Sequence, residues 1–495
     1  MNYGLIRNII GKIILLVGIL MGLPLIVSIY YHEPIRNTIS FLIPMLSLIV
    51  IGFLMSFFKA KDNKLLAREG FVIVGLSWLI MSLFGALPFV ISKVIPNYFD
   101  AFFEITSGFT TTGSTILNGA RITEMNEISK SMLFWRSFSH WIGGMGILVF
   151  ILAFIPESKS GYSIHILRAE STGPSAGKLV SKTQVTTRIL YTIYIGLSLI
   201  MFITLLILPD KKMGVFDSLI TTFGTAGTGG FSNHAESIAY YSPCIQYAVT
   251  IFMILFGINF SVYYLIIIGQ AKEAFKNEEV IWYLGIITVA VIVIFINIMD
   301  RYENIEEAFR LAFFQTASII STTGFSTCNY ALWPALSVGL LILLTLFGSC
   351  AGSTAGGLKI SRVAIITKAT INDIEQMISP RKVKKIRMNF KPLDDSVIHS
   401  VKSFAISYAI VLVISTFLIT IYNPNMDLDF LTAFTSSLTC ISNTGPGLGM
   451  VGPAGCFESY SSFSKVVLSL EMIAGRLEIF PILILFVPST WKKRI

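Results

Sequence analysis

Residues 101–115 read AFFEITSGFTTTGST, and residues 218–232, 312–326 and 433–447 read SLITTFGTAGTGGFS, AFFQTASIISTTGFS and AFTSSLTCISNTGPG. Registered on Gly113, Gly230, Gly324 and Gly445, the four align without a gap, each beginning 12 residues upstream at Ala101, Ser218, Ala312 and Ala433. Every copy opens with a short apolar stretch and closes in small polar residues and glycine. The opening is too short for a hydrocarbon core that takes roughly 20 helical residues to cross. The ending cannot stay helical. Non-helical backbone at membrane depth is tolerated only where it is buried in protein or lines water. Four copies therefore predict four re-entrant loops about a pseudo-fourfold axis. A short helix descends from outside with its partially negative C-terminal end toward the membrane interior. The polar segment then returns with its carbonyls facing the axis.

The rest of the chain supports a membrane setting. Of 495 residues, 54% are hydrophobic and 13% charged, and mean hydropathy is +0.74. Soluble domains carry roughly 25% charged residues, so a soluble fold is excluded. Ten candidate spans lie at about 9–30, 39–58, 71–94, 132–155, 189–208, 245–270, 280–299, 331–346, 401–422 and 463–487. The first is read as a span rather than a cleaved leader, because its apolar run is bilayer-length. With a cytoplasmic N-terminus, 26 of the 37 lysines and arginines fall on inner connections and 8 on outer ones. That bias follows the positive-inside rule and predicts both termini in the cytoplasm. The expected fold is an all-α polytopic membrane protein. Two N-terminal spans (1–66) precede four span–pore-helix–loop–span repeats at 67–160, 161–272, 273–375 and 376–495.

Stacked inward carbonyls require backbone angles that glycine permits, and all four registered positions are glycine. The alternative is four ordinary helix-ending glycines in external turns. Glu104 is the only carboxylate in the four stretches, which argues against an acidic ring. Carbonyl and hydroxyl ligands suit a weakly hydrated monovalent cation better than Mg²⁺. K⁺ is favoured, with Rb⁺, Cs⁺ and Na⁺ as competitors.

Two features lie beyond the loops. Gly348-Ser-Cys-Ala-Gly-Ser-Thr-Ala-Gly-Gly357 places Gly348, Gly352, Gly356 and Gly357 in ten residues and should break its span below the loops. It reads as a flap across the pore or as a small-residue helix crossing. Arg476 sits in the last span, where a charge is costly unless it meets water or a partner. It reads as a barrier to cations in a wet pore, or as half of a salt bridge to another span. The basic stretch Lys359–Lys402 fits anionic lipid or an acidic cytosolic partner. The five cysteines show no metal-ligand spacing, and the five histidines are scattered. No catalytic or nucleotide-binding motif is present, so neither an enzyme nor an organic cofactor is expected, and nothing points to nucleic acid.

TTTGS, TGGFS, STTGFS and SNTGPGLG, together with GSCAGSTAGGLKISR and AGRLEIF, resemble the Trk/Ktr/HKT superfamily of cation transporters. The two extra N-terminal spans match its TrkH branch. The resemblance implies filter segments at Thr110, Thr111, Thr112 and Gly113; at Thr228, Gly229 and Gly230; at Ser321, Thr322, Thr323 and Gly324; and at Ser442, Asn443, Thr444 and Gly445. It maps an intramembrane gating loop onto Gly348–Gly357 and a pore arginine onto Arg476. It further implies a homodimer in a bacterial inner membrane, one pore per subunit, and a cytosolic ring of TrkA-type nucleotide-binding subunits. K⁺ uptake through a gated, selective, channel-like pore is the implied function, with proton- or sodium-coupled symport as the alternative. Extra glycines in GTAGTGGFS leave the second register open to a slip.

Overall fold

The computed structural model describes residues 1–58, 67–117, 128–146, 183–380, 385–423 and 428–492. Among these the protein is almost entirely helical, with one two-stranded hairpin at Arg387–Met388 and Lys391–Pro392. Parts of the fourth candidate span and of the basic stretch (381–384) lie outside the described residues.

Two N-terminal helices come first, Tyr3–Leu20 continuing as Gly22–Tyr30, then Ile35–Phe57. They cross closely because Gly11 and Gly52 carry no side chains. A Cβ on Gly52 would stand 2.5 Å from the Leu15 nitrogen and 2.7 Å from the Gly11 carbonyl oxygen. Gly52→Val should therefore cost about 1–3 kcal/mol through overpacking and lower the melting temperature in detergent. An unchanged melting curve would show that the helices separate freely. This hairpin docks on the first repeat through Glu33, whose carboxylate accepts from the Ser131 N–H at 2.9 Å, at the start of helix Lys130–Gly144.

The repeats follow in order. Their outer spans are Ala67–Gly85 with Leu87–Ser92, Thr183–Ile207, Glu278–Ile298 and Asp395–Ile421. Their pore helices are Tyr98–Phe109, Val215–Gly227, Ile305–Ile320 and Phe430–Ser442. At 12, 13, 16 and 13 residues and about 1.5 Å per residue, none spans a bilayer. The first, second and fourth begin three residues before the expected start and the third seven, and Asn97, Asn304 and Asp429 cap three of the four by accepting backbone N–H groups.

Burial is inverted relative to a soluble protein. Ile195, Leu199 and Ile203 on one outer span and Val289, Ile292 and Ile296 on another are exposed, whereas the hydroxyl-rich loop residues are buried. Apolar side chains face lipid, and polar groups are enclosed where they find partners.

The second helices depart from the sequence reading. Only the third was expected to be interrupted. The apolar run 245–270 looks like one span, yet Pro243–Gly257 and Phe260–Ile267 meet at a 91° bend. The last span divides into Ser462–Arg476 and Phe480–Phe486, with Glu478 and Ile479 at positive φ. In the third, Ala335–Leu346 stops and Ile360–Ile378 resumes after the glycine loop. These breaks lie just beneath the pore loops. The breaks of the second and third repeats are joined by backbone bonds between them: the Cys350 N–H donates to the Gly257 carbonyl, and the Phe260 N–H to that of Gly352, both at 3.1 Å. Such partners let unwound backbone persist at membrane depth.

Candidate functional site

The four pore helices end in one repeated backbone design. Immediately before each registered glycine, the N–H of Thr112, Gly229, Thr323 or Thr444 donates to the carbonyl five residues back, at 2.8–2.9 Å. One residue earlier, Thr111, Thr228, Thr322 and Asn443 all adopt the left-handed region, with φ between 54° and 57°. Three of these are β-branched threonines, for which that conformation is strained and persists only when its surroundings impose it. Gly113, Gly230, Gly324 and Gly445 follow with φ of 83°, 72°, 80° and 97°. The second register does not slip: Thr228 and Gly230 occupy the same backbone states as their counterparts.

The loops close into a ring. A Cβ on Gly113 would collide with the Gly229 carbonyl oxygen, on Gly230 with that of Thr323, on Gly324 with that of Thr444, and on Gly445 with that of Thr112. Each glycine thus admits the carbonyl that precedes the next repeat's glycine, and the fourth contact returns to the first loop. Close approach and positive φ both demand glycine here. All four glycines line one open cavity.

Side chains brace this ring from behind. Thr110 and Thr112 share a hydroxyl–hydroxyl bond of 2.8 Å, Ser321 and Thr323 one of 2.7 Å, and Ser442 and Thr444 one of 3.2 Å. Glu104 does not face the axis. Its carboxylate accepts from Thr115 Oγ1 (2.9 Å), the Ile116 N–H (2.9 Å) and Arg136 Nε (2.5 Å). Arg136 also donates to the Ser232 carbonyl at 2.9 Å and lies 3.6 Å above the Phe231 ring.

The glycine loop sits directly beneath. The Gly356 N–H donates to Thr322 Oγ1 at 2.8 Å, and Gly356 packs against the Ser442 carbonyl with no room for a Cβ. Glu279, nearly buried, accepts from the Ala351 N–H (2.6 Å) and the Ser361 N–H (3.2 Å). The Arg476 guanidinium donates to the carbonyls of Thr354 (2.5 Å), Gly143 (2.6 Å) and Gly144. It therefore ties the loop to the C-terminal end of helix Lys130–Gly144. Glu478 lies beyond the end of the Arg476 helix and pairs with Arg362. Buried Lys359 donates to the Ala355 carbonyl.

Sequence reasoning identified the glycines, the loop and Arg476. It missed Arg136 and Glu279, whose partners lie far away in the chain and leave no local pattern, and Lys359, buried although its partner Ala355 is only four residues back.

A polytopic helical membrane protein whose four re-entrant loops close a carbonyl-bearing ring belongs to the pore-loop class of cation transport proteins, not to an enzyme class. The comparisons name the family: residues 38–493 match the model of the TrkH cation transport proteins, and the chain belongs to that family. It is 32% identical over 503 residues to the Trk system potassium uptake protein TrkH of Escherichia coli K12, covering all of both chains. It is 30% identical over 494 residues to TrkG of the same strain, covering 98% of each. The crystal structure of the potassium transporter TrkH from Vibrio parahaemolyticus superposes with a TM-score of 0.87 at 31% identity, covering 99% of this chain and 100% of that one.

Proposed function

We propose that this chain is the membrane subunit of a potassium uptake system and conducts K⁺ through a gated, channel-like pore. The closed cycle of four glycine–carbonyl approaches carries the reading. Thr110–Gly113, Thr228–Gly230, Ser321–Gly324 and Ser442–Gly445 are the filter. Their carbonyls replace the hydration shell of a weakly hydrated cation, and the four pore-helix C-termini add favourable partial charge. Gly348–Gly357, with Arg476, is the gate. The excess of basic residues on inner connections supports both termini in the cytoplasm, and helical spans of this kind fit a bacterial inner rather than outer membrane. The family resemblance supports a homodimer served by a TrkA-type ring, and the basic stretch continuing from the gate loop offers such a ring a contact.

The test is ⁸⁶Rb⁺ uptake into K⁺-loaded proteoliposomes, with Na⁺ as competitor. Uptake blocked by K⁺ but not by Na⁺ is expected. No uptake from either intact protein or protein lacking the gate loop would overturn the assignment. Imposing a proton or sodium gradient on vesicles with equal K⁺ inside and out separates conduction from symport, because only symport would accumulate Rb⁺ with that gradient as its sole drive.

Arg476→Lys separates two roles for the arginine. Lysine keeps the charge but cannot fork to three carbonyls. If the latch to Thr354, Gly143 and Gly144 closes the gate, the lysine variant leaks Rb⁺ about as fast as Arg476→Gln. A lysine variant as tight as the parent, beside a leaky glutamine variant, would assign closure to charge alone.

A further inference from the structure

The second loop lacks what braces the other three. Where they carry hydroxyl pairs, one and three residues before the glycine, it has Gly229 and Gly227. The vacated space is filled from another repeat. A Cβ on Gly229 would fall among the imidazole atoms Cγ, Nδ1 and Cε1 of His140, and one on Gly227 would strike the His140 backbone carbonyl. His140 is fully buried in helix Lys130–Gly144.

Its two nitrogens have distinct tasks. Nε2 lies 3.3 Å from the Phe231 backbone nitrogen, which can only donate, so Nε2 is the acceptor. Nδ1 lies 2.8 Å from the Gly108 carbonyl oxygen and therefore carries the proton. The ring lies tilted against Phe231, with centroids 4.2 Å apart and planes at 36°. Arg136, one turn earlier, packs on the same Phe231 ring at 3.6 Å. One helix thus grips the residue after Gly230 while bonding to the last turn of the first pore helix.

We propose that His140 is the positioning residue of the second filter loop. Its neutral imidazole does there what the hydroxyl pairs do in the other loops, and cation selectivity depends on it. This rests on reading the loops as a cation filter.

The test measures the Rb⁺ to Na⁺ uptake ratio of full-length variants in proteoliposomes. His140→Ala should lower the ratio about fivefold, the equivalent of one buried hydrogen bond. Gly229→Thr alone should lower it too, because its side chain meets the imidazole. The His140→Ala/Gly229→Thr double variant makes room for that side chain and restores a hydroxyl, so its ratio should exceed that of either single variant. His140→Asn keeps a donor for Gly108 but loses the acceptor for Phe231, and provides a gentler probe if the alanine variant does not fold; its ratio should also fall. A parental ratio in a folded His140→Ala or His140→Asn variant overturns the proposal, as does a double variant no better than its singles. No Rb⁺ uptake from either the parent or protein lacking Gly348–Gly357 fails the filter reading itself, a separate outcome visible in the same assay.

Discussion

Protein lacking Gly348–Gly357 should admit Rb⁺ at least about tenfold faster than the intact chain, equivalent to about 1.4 kcal/mol off the barrier. The excision is sterically mild because the loop's ends already lie side by side. Phe347 and Leu358 form a parallel bridge, the Gly348 N–H donates to the Leu358 carbonyl at 2.8 Å, and the Leu358 N–H donates to that of Leu346 at 3.3 Å. Bridged neighbours stand about 4.8 Å apart and bonded ones about 3.8 Å, so joining Phe347 to Leu358 needs little movement. The excision removes Gly356 from beneath Thr322 and Ser442, and Thr354 from Arg476. It leaves the bonds of Arg476 to Gly143 and Gly144, so the charge stays while the flap goes. Unchanged influx through a monodisperse, correctly inserted variant would remove the loop from gating and leave Arg476 as the barrier.

The loops and the break at Gly348–Gly357 could be read from sequence, and the breaks in the second and last repeats could not, for one physical reason. A filter position is constrained by its own backbone. Positive φ and a neighbouring carbonyl inside van der Waals contact leave only glycine, so Gly113, Gly230, Gly324 and Gly445 advertise themselves at fixed spacing. The bend at Gly257 has another origin. Residues 245–270 read as one long apolar run despite Gly257 and Asn259, and the gate loop holds the bend open by bonding to Gly257 and Phe260 from about a hundred residues away. Arg476 shows the same limit. Its helical neighbours offered no partner, and the carbonyls it reaches lie on Gly143, Gly144 and Thr354. His140 was one of five scattered histidines until Gly227 and Gly229 were seen to leave its space empty. Residues selected by their own conformation are legible; residues selected by distant partners need the fold.

Gly113→Ser should lower the preference for K⁺ over Na⁺ about tenfold, or about 1.4 kcal/mol of discrimination. The new Cβ meets the Gly229 carbonyl oxygen closer than 3.0 Å, at a φ of 83° that L-residues avoid. Backbone on both sides must yield, and the Gly229 oxygen turns away from the ion path. Water then completes the coordination, and water accepts Na⁺ at least as readily as K⁺, so the ratio falls while conduction persists. Cyclic symmetry sharpens this into a rank order. Gly230 and Gly324 face the same obstruction from Thr323 and Thr444, whereas a Cβ on Gly445 would stand 2.6 Å from the Thr112 oxygen, the most room of the four. Serine at 113, 230 or 324 should therefore cost more selectivity than serine at 445. Gly196→Ser, at a position with nothing within 4 Å of a built Cβ, should leave the ratio unchanged. Competition curves of K⁺ and Na⁺ against ⁸⁶Rb⁺ uptake measure all five. If Gly113→Ser matches Gly196→Ser, the ring of close carbonyl approaches does not set selectivity.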